Sequence, residues 1–315
     1  MIVRRTYLAA AFSALVAVPL SARAQTVTPI LAVDVREDGI IGRFEAAPDA
    51  HAATAVLLLG GSEGGLPPAK DAEDLARAGH PVLALAYFKS WQGKPEGLPA
   101  TLKAIPLEYF FRAIDWLKRQ PQVDPRHIVV IGQSRGAELA LLLASLRPDL
   151  AGVIAFAPSD RVWSGLSTFG LRLAEQPPAW TLGGKAVPYQ QVAAETGAPM
   201  RAGFEHALEV PAARIRMERI RGPVLLFSSK SDAIWPSTSF ADGAAAALAK
   251  RPNKAPVDNV QYDDASHLLM GTGPGMTTLQ VPGTSFRIEF GGTAEATAKA
   301  RALAWAATKR FLDRL

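Results

Sequence analysis

Residues 127–146, HIVVIGQSRGAELALLLASL, limit what this chain can fold into more than any other stretch. They open on Ile128-Val129-Val130-Ile131, an apolar, β-branched run that reads as a buried strand. Gly132-Gln133-Ser134-Arg135-Gly136 follows, and then a helical pattern over residues 137–144. Strand, G-x-S-x-G turn and helix together hold a serine on a strained turn with its hydroxyl above a sheet edge. The glycines fit because a chain that turns so tightly, so near its neighbours, leaves no room for a Cβ. A helix starting at the serine also aims its unpaired N–H groups at negative charge forming nearby. The pentapeptide alone arises by chance in about one chain in ten of this glycine content. The weight therefore rests on the flanking strand and helix, and on what the remaining chain supplies.

From Thr54 onward short apolar strands alternate with helices, which predicts an α/β fold with a mostly parallel sheet and helices on both faces. Strands are expected at residues 55–59, 81–87, 152–157, 223–228 and 257–262. Helices are expected at about 67–78, 102–119, 237–250 and 294–312. Ahead of them, residues 30–35 and 40–45 flank Asp38-Gly39, a hairpin signal. Residues 161–220 break the alternation, with Trp163, Phe169, Trp180, Tyr189 and Phe204 among Gly, Pro and polar residues; a cap or lid over the sheet's carboxyl edge is expected there. A Gly/Pro-rich loop is expected over 271–285. No repeat or internal boundary is visible, so residues 25–315 read as one domain.

The first residues read as an address. Arg4-Arg5 precede an apolar run too short to span a bilayer comfortably, and Ala22-Arg23-Ala24 has the small-x-small pattern of a cleavage site. A signal peptide over residues 1–24 is expected, with export to a periplasm or to the medium. The arginine pair fits a twin-arginine signal as well as a general secretory one. Its removal takes away three arginines and no acid, so the formal net charge falls from +5 to +2. No basic stripe is interleaved with aromatics, which argues against a nucleic-acid partner. No later apolar segment reaches spanning length, so membrane insertion of the mature chain is not expected. Cysteine is absent, which excludes disulfides, thiolate metal sites and a cysteine nucleophile.

A serine hydroxyl needs a base within hydrogen-bond reach. Of the five histidines, His267 lies just past the last expected strand, where loops at the carboxyl ends of strands converge. His51, His80, His127 and His206 suit capping or surface roles, and His127 sits at the wrong end of its strand. The acid is expected after an intervening strand, giving the order Ser, Asp, His. Asp232 fits; Asp160, after the preceding strand, is the rival; Asp263 and Asp264 stand too close to the base along the chain. Oxyanion donors are expected at the backbone N–H of Arg135 and in the glycine-rich loop 60–65, at Ser62 or Glu63. Gly61 and Trp235 are expected to meet substrate. The loop lacks both the Walker lysine pattern and G-x-G-x-x-G, so no nucleotide site is expected, and this chemistry calls for no metal or cofactor.

Several segments in order carry a more specific likeness. They are Ile105-Pro106-Leu107-Glu108-Tyr109-Phe110; Ile131 to Leu141 around the serine; Ile220-Arg221-Gly222-Pro223-Val224-Leu225-Leu226-Phe227 leading to Asp232 and Trp235-Pro236-Ser237; Ala265-Ser266-His267-Leu268-Leu269; and Phe290-Gly291-Gly292-Thr293 before Ala300 and Trp305. Over roughly residues 54–312 the chain resembles the C-terminal catalytic domain of acyl-CoA thioesterases and bile-acid-CoA:amino-acid N-acyltransferases. The resemblance implies an α/β-hydrolase fold, with Ser134 as nucleophile, Asp232 as acid and His267 as base. For animal members the resemblance implies an N-terminal β-sandwich domain; none is expected from residues 1–53 of this sequence. Members that form amides use cysteine as nucleophile; serine here favours hydrolysis. The expected substrate is a small-molecule acyl ester or thioester, and the leader would remove the enzyme from intracellular acyl-CoA. Acyl transfer to an amine or alcohol, and a non-catalytic binding role on a hydrolase scaffold, are the alternatives.

Overall fold

In the computed structural model, residues 29–166, 176–193, 199–281 and 287–315 are described. The leader expected over 1–24, and Phe169 of the excursion, lie outside them. In chain order the elements are β1 (Leu31–Val35), β2 (Ile41–Ala46), β3 (Ala53–Leu59), α1 (Ala69–Arg77), β4 (Val82–Ala86), β5 (Ile105–Pro106), α2 (Leu107–Leu117), β6 (Val123–Gln133), α3 (Arg135–Leu146) and β7 (Gly152–Phe156). Then come β8 (Trp180–Leu182), β9 (Lys185–Ala186), α4 (Met200–Glu205), β10 (Val224–Ser229), α5 (Ser237–Leu248), β11 (Val257–Tyr262), β12 (Thr278–Gln280), β13 (Arg287–Glu289) and α6 (Ala294–Leu312).

Eight strands form one sheet in the order β1-β2-β4-β3-β6-β7-β10-β11. The pairs from β4 across to β11 are parallel, and β1 and β2 join antiparallel at one edge. Alternation along the strands divides the interior in two. Leu57, Leu59, Ile128, Val130, Val153 and Ala155 face a core shared with α2, α3 and α5. Val56, Leu58, Val129, Ile131, Ile154 and Phe156 face a second core with α1 and α6. Strands buried on both faces read as continuous apolar runs, the pattern the sequence shows.

Three expectations change. The helix expected from about residue 102 begins at Leu107. Ala104 has φ 52°, Pro106 confines Ile105 to extended backbone, and Ile105-Pro106 pairs with Trp180-Thr181 instead. The loop expected over 271–285 contains β12, paired antiparallel with β13. The excursion after β7, expected as a break in the alternation, holds β8, β9 and α4.

Candidate active site

The turn at Ser134 is strained in the way its glycines imply. Ser134 has φ 57° and ψ −120°, a backbone a non-glycine residue adopts only where its surroundings enforce it. A Cβ on Gly132 would stand 2.0 Å from the Gly136 carbonyl oxygen, and one on Gly136 would stand 2.3 Å from the Gly60 oxygen. The Ser134 N–H donates to the Phe156 carbonyl at 2.8 Å, fixing the turn to β7. Within α3 the carbonyl of Ser134 accepts from Ala137 and Glu138 at 2.8 and 3.0 Å. The N–H groups of Arg135 and Gly136 precede that ladder and have no acceptor within the helix.

Asp232 and His267 meet at the carboxyl edge of the sheet. His267 Nδ1 donates to Asp232 Oδ2 at 2.7 Å, the pairing that in a neutral ring leaves Nε2 as the acceptor. The other oxygen, Oδ1, accepts the N–H groups of Ile234 and Trp235 at 2.9 and 3.2 Å. Asp232 is 0% and His267 3% exposed. The Phe290 carbonyl accepts from His267 N–H at 2.9 Å and Ala233 N–H at 3.2 Å, tying the two loops together. Gly291, at φ 82°, allows this: a Cβ there would lie 1.9 Å from the Ser231 carbonyl oxygen. The rival Asp160 is held by Arg161 at 2.8 Å and Arg214 at 2.9 Å, away from His267. His80 contacts the Thr54 carbonyl and Asp313, and His127 contacts Asp124. Asp263 pairs with Lys230 at the surface.

Three further side chains support this arrangement. Gln133, buried at the end of β6, donates to the His267 carbonyl at 2.9 Å and accepts from Leu269 and Met270 N–H at 3.1 and 3.0 Å. It thus fastens the histidine loop to the strand that carries Ser134. The only hint in sequence is an amide closing an apolar run, since a buried polar group must find partners. From α4, Arg201 donates to the carbonyls of Lys230 and Asp232 at 3.0 and 2.9 Å. Trp235, expected to meet substrate, is 1% exposed; its ring packs edge-to-face on His267 with centroids 5.7 Å apart. Trp163, Phe204 and Phe240 complete that aromatic cluster, so the excursion packs directly behind the histidine.

The Arg135 side chain turns inward and joins the excursion to α3. It pairs with Glu138 at 2.7 Å and donates to the carbonyls of Trp163 and Ser164 at 2.8 and 3.1 Å. Glu138 accepts from Trp163 N–H at 3.2 Å and from Trp180 Nε1 at 2.8 Å. Complete burial pushes its carboxyl up to about 7, against the pull of Arg135.

The loop after β3 lies against the turn. Tyr87 Oη donates to the Gly60 carbonyl at 2.6 Å. A Cβ on Gly61 would stand 3.2 Å from Ser134 Cβ, which brings this glycine beside the serine. Ser62 is half-buried at the turn, and the Glu63 carboxylate folds back over Gly61. Among the described residues no group of three His, Asp or Glu side chains is arranged to hold a metal ion. A groove of about 310 Å³ lined by Leu142, Val162, Val187 and Ile215 lies toward the far end of α3 and does not include Ser134. No helix among the described residues is long and apolar enough to cross a membrane.

A family model described as BAAT / acyl-CoA thioester hydrolase C terminal matches residues 105–315. Acyl-coenzyme A thioesterase 6 of Mus musculus is 38% identical over 117 residues, 37% of this chain and 26% of that protein. The mitochondrial acyl-coenzyme A thioesterase 2 of Mus musculus is 25% identical over 287 residues, covering 90% of this chain and 60% of its own length. The chain thus spans less than two-thirds of these relatives. Among solved structures, a puromycin-hydrolyzing peptidase of Mycobacterium tuberculosis superposes with TM-score 0.60 at 14% identity, covering 94% of this chain and 41% of that one. At that identity the likeness is one of fold, the α/β-hydrolase fold.

Proposed function

Since the chain belongs to the BAAT / acyl-CoA thioester hydrolase C-terminal family, we propose that it is an acyl hydrolase that cleaves carboxylic esters or thioesters through an acyl-serine intermediate. The observation that carries this reading is the buried 2.7 Å contact of His267 Nδ1 with Asp232, at the sheet edge where the Ser134 turn also lies. Ser134 Oγ attacks the acyl carbon while His267 Nε2 takes its proton. Asp232 holds the ring in one tautomer and stabilises the imidazolium. The tetrahedral oxyanion accepts hydrogen bonds from the Arg135 N–H and from the loop at Ser62 or Glu63, each worth about 3 kcal/mol to the transition state. Collapse breaks the bond to the leaving group, which departs with the proton from His267. Water then gives a proton to the same nitrogen as it attacks the acyl carbon; the second tetrahedral intermediate collapses by breaking its bond to Ser134 Oγ, which takes that proton back from His267 as the acid leaves.

Gly61 would border the acyl group, with Trp235 supporting His267 from within the aromatic cluster rather than meeting substrate, and residues 161–220 would cover the site as a lid. The relatives' names, acyl-coenzyme A thioesterases, support a thioester. The leader-like residues 1–24 support export, and hence an ester or thioester other than intracellular acyl-CoA. The test is a p-nitrophenyl ester chain-length series beside acyl-CoA thioesters, on the protein lacking residues 1–24. The reading expects nitrophenol release with turnover that falls by orders of magnitude in Asp232→Asn. Absence of both burst and turnover overturns it in favour of a binding role. Products carried onto added amines or alcohols would make it a transferase.

A further inference from the structure

Glu63 does something the proposed chemistry leaves unused. Its carboxylate Oε1 accepts the N–H of Gly61 at 2.7 Å, and its own backbone N–H donates to the same carboxylate. These are N–H groups of the loop expected to hold the oxyanion. The carboxylate also lies close to the nucleophile: the Cβ position of Gly61 is 2.8 Å from Glu63 Oε2 and 3.2 Å from Ser134 Cβ. Glu63 as a residue is exposed, yet burial of its carboxyl group raises the pKa, and the hydrogen bonds from its own N–H and that of Gly61, with His267 nearby, pull it back down.

A carboxylate and a tetrahedral oxyanion make the same demand, namely N–H donors around an anionic oxygen. They cannot occupy the same donors together. We propose that the Glu63 carboxylate is an internal competitor for the oxyanion hole, an anion supplied by the chain itself that substrate must displace. No covalent step is involved. The side chain of this exposed residue rotates away from the loop into solvent, and the loop N–H groups pass to the substrate oxygen. In consequence Glu63 weakens every ligand whose bound form places negative charge on that oxygen, and leaves neutral ligands unaffected. The inference rests on Ser134 being the nucleophile.

The test is the inhibition constant of phenylboronic acid, whose serine adduct is a tetrahedral anion, on the full chain and its Glu63→Gln and Glu63→Ala variants. Glu63→Ala should bind it about tenfold more tightly, the size expected for losing one charged competitor for the donors. Glu63→Gln, which keeps the shape without the charge, should fall between, and carries the test should the alanine variant not fold. Unchanged or weaker boronate binding in both variants overturns the proposal, because a supporting or catalytic Glu63 would give that result. Ser134→Ala separates the two claims. Boronate affinity that ignores Ser134, or that is absent from the wild type, overturns the serine reading. Affinity that depends on Ser134 but not on Glu63 overturns only the competitor.

Discussion

Asp232 spends both carboxylate oxygens on neighbours that fix it: Nδ1 of His267 on one, and two backbone N–H groups on the other. An amide at this position would keep the shape and present the wrong hydrogen to the imidazole. Asp232→Asn should therefore lower kcat about ten-thousand-fold with the fold intact. Asp160→Asn should leave kcat near wild type and show instead in urea unfolding, since it loosens two arginines that hold the excursion. The opposite pattern would transfer the acid to Asp160. Gln133 makes a sharper case, because three bonds join its amide to the histidine loop. Gln133→Ala should lower kcat about tenfold with little change in KM, and lose about 2 kcal/mol of stability from unpaired groups. Ester kinetics and denaturant titration on one preparation check both. That His267 and Asp232 meet was legible, because each follows a strand ending at the same edge of the sheet. Gln133 stands at a position the motif leaves free, and its partners are 134 or more residues away.

At the scale of elements, the turn between β6 and α3 is the most constrained piece. Gly132→Ala would put a methyl 2.0 Å from the Gly136 carbonyl oxygen, backbone that cannot move without breaking the turn. The variant should lose several kcal/mol and most esterase activity together. A stable, active Gly132→Ala protein, measured by thermal melting and turnover, would mean that the turn is not held as described. The strands were legible because burial on both faces writes itself as unbroken apolar sequence. The start of α2 was not, since its apolar spacing continues upstream into residues that pair with β8 instead. Helical periodicity cannot see such a partner 75 residues away.

The whole molecule joins its two parts through α3, which starts directly after the serine and whose Arg135 and Glu138 grip the excursion. That grip has a pH signature. Burial raises the Glu138 carboxyl from 4.5 to about 7, so the folded state holds this proton more tightly than the unfolded chain does. Its contribution to stability is complete below about 4.5 and is lost as the pH rises through about 7. The stability of wild type minus that of Glu138→Gln should fall across this window by an amount on the order of 3 kcal/mol. Urea unfolding at stepped pH reads it, and a flat difference would place the carboxyl in water. Sequence places Glu138 only on a helix after a serine. Its burial follows from the excursion folding back over α3, a long-range contact.

The central claim is that Ser134 is the nucleophile of an acyl hydrolase. Labelling with a fluorophosphonate, followed by peptide mass mapping, tests it most directly. One stoichiometric adduct on Ser134, absent from Ser134→Ala and slowed in His267→Ala, is the predicted result. Labelling that persists in Ser134→Ala, or an adduct mapped to another residue, would contradict it.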